Sequence, residues 1–370
     1  MKKFKLEKYK DFKQYFNLLD VLIKTKSSNK EMFLESINIS PSSYRRVKKE
    51  GNKIGESILK QLSQYFEYNL CSIELVDEIE EKINRIYYDI YYKDYENYSS
   101  HYEWLDSMIE KRYIIFPMFK LLKLLMIIND QESPKNIQNN NFELYEEVKQ
   151  YEDFFDDELK EIIEILDVTF KKDIDIYFLS NDYINELTYH TIATRCLVMK
   201  RYIESIYYCN KVKELYLKDE NYKRAFYINL TLISNYNYLL KFKNAYFLAQ
   251  KQFKVLSSLK NKGLEYEYTK GLYTITCLGL KKFNEVISIL KSKNNLGLSE
   301  VFSLLISYYY TDKKQYDTFF KELTANDKNN NFKEYLNILN SILKNNNKKK
   351  ITELETCNIN KCILEILKKM

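Results

Sequence analysis

Ser42, Ser43, Arg45, Arg46 and Lys49 fall within eight consecutive residues, and their side chains suit the recognition of a polyanion. Short hydroxyls at the start of a helix reach phosphates and base edges, and an arginine one turn later forks onto guanine or grips a phosphate. The surrounding run, Ile39-Ser40-Pro41-Ser42-Ser43-Tyr44-Arg45-Arg46-Val47-Lys48-Lys49-Glu50-Gly51, has the punctuation of a short helix. Ser40 is a good N-cap, Pro41 stands at the first helical position where its missing N–H costs nothing, and Gly51 closes the helix. Tyr44 and Val47 lie one turn apart and are predicted to face a core, leaving the five polar residues on the other side.

The charge distribution points the same way. The stretch 1–70 carries 15 Lys and Arg against 8 Asp and Glu, whereas the remainder of the chain, whose total net charge is +6, is close to neutral. A cationic head on a neutral body suits duplex DNA, and its binding would weaken with salt.

Catalytic groupings are missing from the sequence. His101 and His190 are the only histidines, and neither lies in an HExxH motif; the six glycines form no phosphate loop. The cysteines at 71, 196, 209, 277, 357 and 362 show no paired spacing, so reduced and buried thiols are expected. The reading is not an enzyme, with no cofactor and no metal. Met1-Lys2-Lys3-Phe4-Lys5 leads into an amphipathic pattern instead of a signal core. The most apolar stretch, Tyr113 to Ile128, is interrupted by Lys120 and Lys123. A cytoplasmic protein with no membrane partner is expected.

The elements that hold the cationic residues are predicted as helices. Apolar spacing suggests a first helix from Leu6 to Ile23, and Ser28 would cap a second, running to Ile37 with Met32, Phe33 and Ile37 inward. Asn38 would take the left-handed turn, and a fourth helix from Ile54 to Tyr68 would present Ile58, Leu59, Leu62, Tyr65 and Phe66 to the core. The order Phe33, Ile37, Ile39-Ser40, Tyr44, Val47, Gly51, Leu59, Leu62, Phe66 and Leu70 resembles the Cro and phage-repressor class of helix-turn-helix domain. It departs from that class at Leu34, usually alanine, at Asn38, usually glycine, and at Pro41, usually polar.

The body contains a loose repeat. Lys200-Arg201-Tyr202 recurs as Lys241-Phe242 and Lys281-Lys282-Phe283, so that Tyr202, Phe242 and Phe283 stand at two nearly equal intervals; Lys314-Gln315-Tyr316 follows after a shorter one. Each copy is predicted to open the second helix of a hairpin, with Ser205, Ala245 and Val286 as the small or apolar residues three positions on. The pattern resembles the tetratricopeptide hairpin, with a longer period and without its glycine and proline punctuation. Breaks are expected near Ser99-Ser100, at Asp130 to Asn141, around Lys171 to Asp175, at Thr324 to Asn331 and at Lys344 to Lys350. On the first helices of these hairpins His190, Thr194, Asn229, Ser234, Asn237, Tyr238 and Tyr308 are the candidate peptide contacts, the asparagines because each offers a donor and an acceptor to a peptide unit.

The fold class read from the sequence is all-α: an N-terminal helix-turn-helix domain followed by a right-handed helical-hairpin, tetratricopeptide-like solenoid. The expected parts are a DNA-binding domain over 1–70, irregular hairpins over 71–180, repeats over 181–350 and a capping or dimerisation helix over 351–370. A Cro-like head on such a body resembles the peptide-pheromone-responsive regulators of the Rgg and PlcR type and the phage arbitrium receptor. The resemblance implies a homodimer that binds double-stranded DNA and responds to a short signalling peptide; the terminal helix expected from about Thr352 to Met370, with Ile359, Ile363, Ile366 and Leu367 on it, is the candidate dimer contact. The alternatives are an interaction scaffold, or a Rap-like regulator that acts on a protein partner without DNA.

Overall fold

The computed structural model describes residues 3–10, 12–50, 53–130, 134–171, 185–259, 263–291, 296–325, 330–355 and 359–370. Every regular element among them is helical, and helices pack in neighbouring pairs. Two compact units form: one from 1–195 with 214–224, the other from 196–213 with 225–370. The cationic head, 1–70, lies wholly within the first unit.

Unit one opens with α1 (Tyr15–Lys26), α2 (Lys30–Ser36), α3 (Pro41–Glu50) and α4 (Lys53–Phe66). The expected first helix begins later than its apolar spacing suggested, after two short 3-10 turns at Glu7–Lys10 and Phe12–Gln14. Long-range bonds hold the segment ahead of it. Asn84 accepts from the Phe4 N–H at 2.8 Å and donates to the Phe4 carbonyl at 2.9 Å, and Glu80 accepts from the Leu6 N–H at 2.6 Å. These bonds satisfy backbone groups ahead of the first turn, which no helix would pair. The Tyr9 hydroxyl accepts from the Asp156 N–H at 3.0 Å, so the N-terminal segment is strapped down at two places.

The partners in that strap come from α5 (Ile73–Tyr92), which Ser72 caps by accepting from the Leu75 N–H, and from the start of α9 (Asp157–Phe170), which Asp156 caps through Leu159. Between them lie α6 (Tyr98–Glu110), α7 (Phe116–Asp130) and α8 (Pro134–Lys149). The apolar stretch flagged in the sequence becomes α7, whose Met118, Phe119, Leu121, Leu122, Leu124 and Leu125 are fully buried against α5, α6, α8 and α9. No helix among the described residues is long and apolar enough to cross a membrane. Two breaks are displaced: Ser99 and Ser100 fall in the first turn of α6, following a left-handed Lys93, and Pro134 starts α8 inside the loop expected over Asp130 to Asn141. Within α5 and α6, Asp89 and His101 form a buried pair at 2.8 Å.

The hairpins follow as α10 (Glu186–Val198), α11 (Tyr202–Lys218), α12 (Tyr222–Tyr238), α13 (Phe242–Ser257), α14 (Leu264–Gly279), α15 (Phe283–Leu290) and α16 (Leu298–Thr311). The repeated aromatics Tyr202, Phe242 and Phe283 are the first residues of α11, α13 and α15, as their spacing predicts. Two positions before each stands a non-glycine residue in the left-handed region: Lys200 at φ 62°, Leu240 at 57° and Lys281 at 57°. The next N–H reaches back across the turn, from Arg201 to the Cys196 carbonyl, Lys241 to Tyr236 and Lys282 to Cys277, at 2.8, 2.8 and 2.9 Å. This is the Schellman closure, made without glycine. Ser205, Ala245 and Val286 are fully buried, as expected of the close-contact positions.

Each repeated aromatic then packs on the end of a later helix. Tyr202 stacks on Tyr238 with ring centroids 5.3 Å apart, and Phe283 on Tyr310 at 5.1 Å. At the intermediate position a Cβ on Gly279 would lie 2.5 Å from the Phe242 ring, so only glycine fits. The chain ends with α17 (Lys313–Ala325), α18 (Asn330–Asn345), α19 (Ile351–Leu354) and α20 (Lys361–Lys369). The terminal helix expected from Thr352 is therefore two shorter ones. Ile359, Ile363, Ile366 and Leu367 are buried within their own chain, in the core to which α14 and α16 contribute, so they are not free for the dimer contact assigned to them.

Three substitutions at two positions test this packing. Lys281→Gly should raise stability by about 1 kcal/mol, because it removes the left-handed backbone penalty of an exposed residue, whereas Lys281→Ala should not. Gly279→Ala should destabilise by roughly 1–3 kcal/mol by overpacking Phe242. Thermal unfolding of the three variants reads both effects.

Candidate nucleic-acid interface

Asn29 starts α2, its side chain accepting from the N–H groups of Glu31 and Met32, so the cap lies one residue beyond the expected Ser28. Leu34 is buried beside Phe33, while Met32, expected inward, is 66% exposed. Asn38 takes the left-handed conformation expected of it, at φ 59°. Its N–H bonds to the Glu35 carbonyl and the Ile39 N–H returns to that of Leu34 at 2.8 Å, which ends α2 and buries Ile39. Ser40 then caps α3: its carbonyl takes the Tyr44 N–H at 3.0 Å, and its hydroxyl lies 2.7 Å from that of Ser42. Gly51, expected to close α3, lies outside the described residues.

The inner face of α3 is fixed by Tyr44 and Val47, both fully buried. The Tyr44 ring meets Phe16 of α1 edge-on at 5.3 Å, and its hydroxyl donates to Asp20 at 2.7 Å. Lys48 bonds the other oxygen of Asp20 at 2.5 Å, and Lys30 pairs with the same carboxylate. Burial alone would raise the carboxyl pKa of Asp20, but hydrogen bonds from Lys30, Lys48 and Tyr44 outweigh it and hold the group below its usual range. From the far side α4 approaches so closely that a Cβ on Gly55 would lie 2.6 Å from the Val47 methyl. That close approach gives Gly55 a role the sequence reading missed.

With that face buried, Ser42, Arg45, Arg46 and Lys49 are all exposed along one stripe of α3, and Ser43 beside them is half-buried. The spacing of i, i+3, i+4 and i+7 makes the stripe continuous. Arg45 pairs with Glu31 of α2, whereas Arg46 and Lys49 form no ion pair among the described residues. Such an arrangement can neutralise anionic oxygens along a helix-sized track.

The residues expected to bind peptide are divided between the two units. His190 and Thr194 belong to unit one and the other five to unit two. His190 Nδ1 lies 3.1 Å from the Tyr216 hydroxyl, and burial, followed by the charges of Arg224 and Lys93, holds the imidazole well below its usual range. Thr194 donates to the His190 carbonyl. In unit two Asn237, expected on an open face, is only 1% exposed: it donates to the Leu272 carbonyl of α14 and accepts from Thr276 at 2.9 Å. Ser234 is buried and donates to Leu230, and Tyr308 is buried against Phe319 of α17. These three serve helix packing. Tyr238, at 38% exposed, stays on the surface, and the carbonyl oxygen of half-buried Asn229 is enclosed without a hydrogen-bond partner.

Among the described residues no group of histidine, cysteine and carboxylate could hold a metal ion. Cys71, Cys196, Cys209, Cys277 and Cys362 are free and buried, while Cys357 lies outside the described residues. Burial pushes the Cys71 and Cys209 thiols up to about 12, which makes them inert near neutral pH.

The Asp20 clamp predicts an acid sensitivity. A carboxyl whose folded pKa is depressed contributes stability above its unfolded value near 3.9 and loses that contribution as pH falls through the lower folded value. Asp20→Asn should cost on the order of 2 kcal/mol at pH 7, from lost charged hydrogen bonds, and should flatten the acid limb of the stability curve. Hydrogen exchange of the α3 amides between pH 3 and 7 measures it.

No protein-family model matches the chain, and no curated protein or solved structure matches it either.

Proposed function

We propose that the protein is a DNA-binding transcriptional regulator that reads duplex DNA with α3 and whose helical hairpins respond to a short peptide. The observation that carries this reading is the continuous exposed stripe of Ser42, Arg45, Arg46 and Lys49 on a helix whose other face is locked by Tyr44, Val47 and Asp20. A rigidly held helix with a cationic outer face fits the major groove, and Ser43 at its first turn can meet the phosphate backbone. One such head covers few base pairs, so the reading includes a homodimer with two heads on paired half-sites. No catalytic step is assigned to it.

We assign peptide binding to unit two, where Tyr238 is exposed at the end of α12. The second reading, a protein-interaction scaffold, draws on Ile203 and Tyr207 of α11 and on Phe247 and Val255 of α13, which are large, apolar and exposed.

Selection of duplex DNA by the full-length chain, with and without a small-peptide extract, separates the two. The regulator reading expects an enriched operator, and it expects Arg45→Ala with Arg46→Ala to weaken binding to that operator by at least about 1–3 kcal/mol, the worth of one bidentate base contact. Enrichment of no sequence, or equal affinity in the double variant, favours the scaffold.

A further inference from the structure

We infer that α20 is a displaceable occupant of a peptide groove: the strip of α14 and α16 beneath it takes a short amphipathic helix with apolar side chains at α20's own spacing. The inference rests on the peptide half of the function proposed above and identifies the class of ligand. Ile363, Ile366, Leu367 and Met370 recur along the segment at helical spacing; Cys362 and Leu364 beside them, and Ile359 just before the helix, are buried with the first three. Both α14 and α16 touch α20. Polar attachment to this strip is slight: the Asn360 N–H donates to the Ser299 hydroxyl of α16 at 3.0 Å. The amine of Lys368 pairs instead with Glu355 and Glu365, and its carbonyl accepts from Lys348 at 3.3 Å, so these bonds lie within the C-terminal segments themselves. A surface that holds a helix by apolar contact accepts any segment presenting the same stripe.

The fit is incomplete. Where Ile366, Lys369 and Met370 meet Leu240, Phe242, Gly279 and Lys281, a cavity of about 60 Å³ remains. Farther along α14, Tyr268 is 56% exposed and nothing lies within 4 Å of where a side chain on Gly271 would begin. A longer or bulkier ligand therefore gains contacts that α20 does not make. With nine residues, α20 is also shorter than the roughly 12–15 needed for a helix to persist alone in water, so its release is coupled to its unfolding and favoured by chain entropy.

Hydrogen exchange on the full-length chain gives the first test: the α20 amides should exchange through a local opening, well ahead of those in the middle of α14 and α16. The second uses the full-length double variant Ile363→Asp with Ile366→Asp and a labelled synthetic peptide of sequence 359–370. The folded variant should bind that peptide at least about tenfold more tightly than the wild-type chain, in which the tethered segment competes. Exchange of α20 as slow as that of α14, or a folded variant that ignores the peptide, overturns the inference. If the variant does not fold, the exchange rates of the wild-type chain decide alone. Binding of the synthetic peptide together with indifference to every small-peptide extract would support the groove and sink the signalling reading.

Discussion

Hairpin closure by one residue in the left-handed conformation is the constraint on which the repeats depend. Lys200, Leu240 and Lys281 each hold it, and each brings an aromatic two positions later to the head of the next helix. The aromatic cannot then point freely. Tyr202 and Phe283 stack on Tyr238 and Tyr310, and Phe242 lies over the bare backbone of Gly279, so turn geometry becomes contact with a later helix. Left-handed residues other than glycine cost about 1–2 kcal/mol each, and a chain with only six glycines bears that cost repeatedly. Burial of Ser205, Ala245 and Val286 beside the turns offsets it.

The head follows a different principle. Its small core is braced by one partly buried carboxylate, Asp20, which gathers Tyr44, Lys30 and Lys48 and so orients α3 from behind. The strap of Phe4 and Leu6 on Asn84 and Glu80 adds a second brace from α5. The head is thus joined to its unit by directed hydrogen bonds as well as by packing, and α3 has a defined orientation within unit one. On the proposed function this orientation favours recognition, because binding would not first have to order the helix.

Much of this was legible in the residues, and the failures share a cause. Pro41, Ser40, Tyr44 and Val47 mark α3 because caps and one-turn spacing are local signals. The repeated aromatics mark α11, α13 and α15 for the same reason. Sequence periodicity starts the first helix too early; the segment ahead of it is held by Asn84 and Glu80, about 80 residues away, which no local pattern shows. It misorients Met32 because α2 is only seven residues long, too short for its apolar spacing to separate Leu34 from its neighbour. Asn237 looks like a ligand contact until its partners on α14 are seen, and the stripe of Ile359, Ile363, Ile366 and Leu367 identifies a buried face without saying which chain buries it. Gly55 and Gly279 are informative only once the side chain that approaches each is known.

In the proposed function α3 is the surface that meets DNA. The most direct measurement crosslinks the full-length chain to a bound duplex and maps the attached residues by mass spectrometry. The account predicts adducts at Arg46 and Lys49 and along the exposed stripe of α3. Adducts confined to the other lysine-rich surface, Lys348 to Lys350 with Lys368 and Lys369 near the C-terminus, would contradict it.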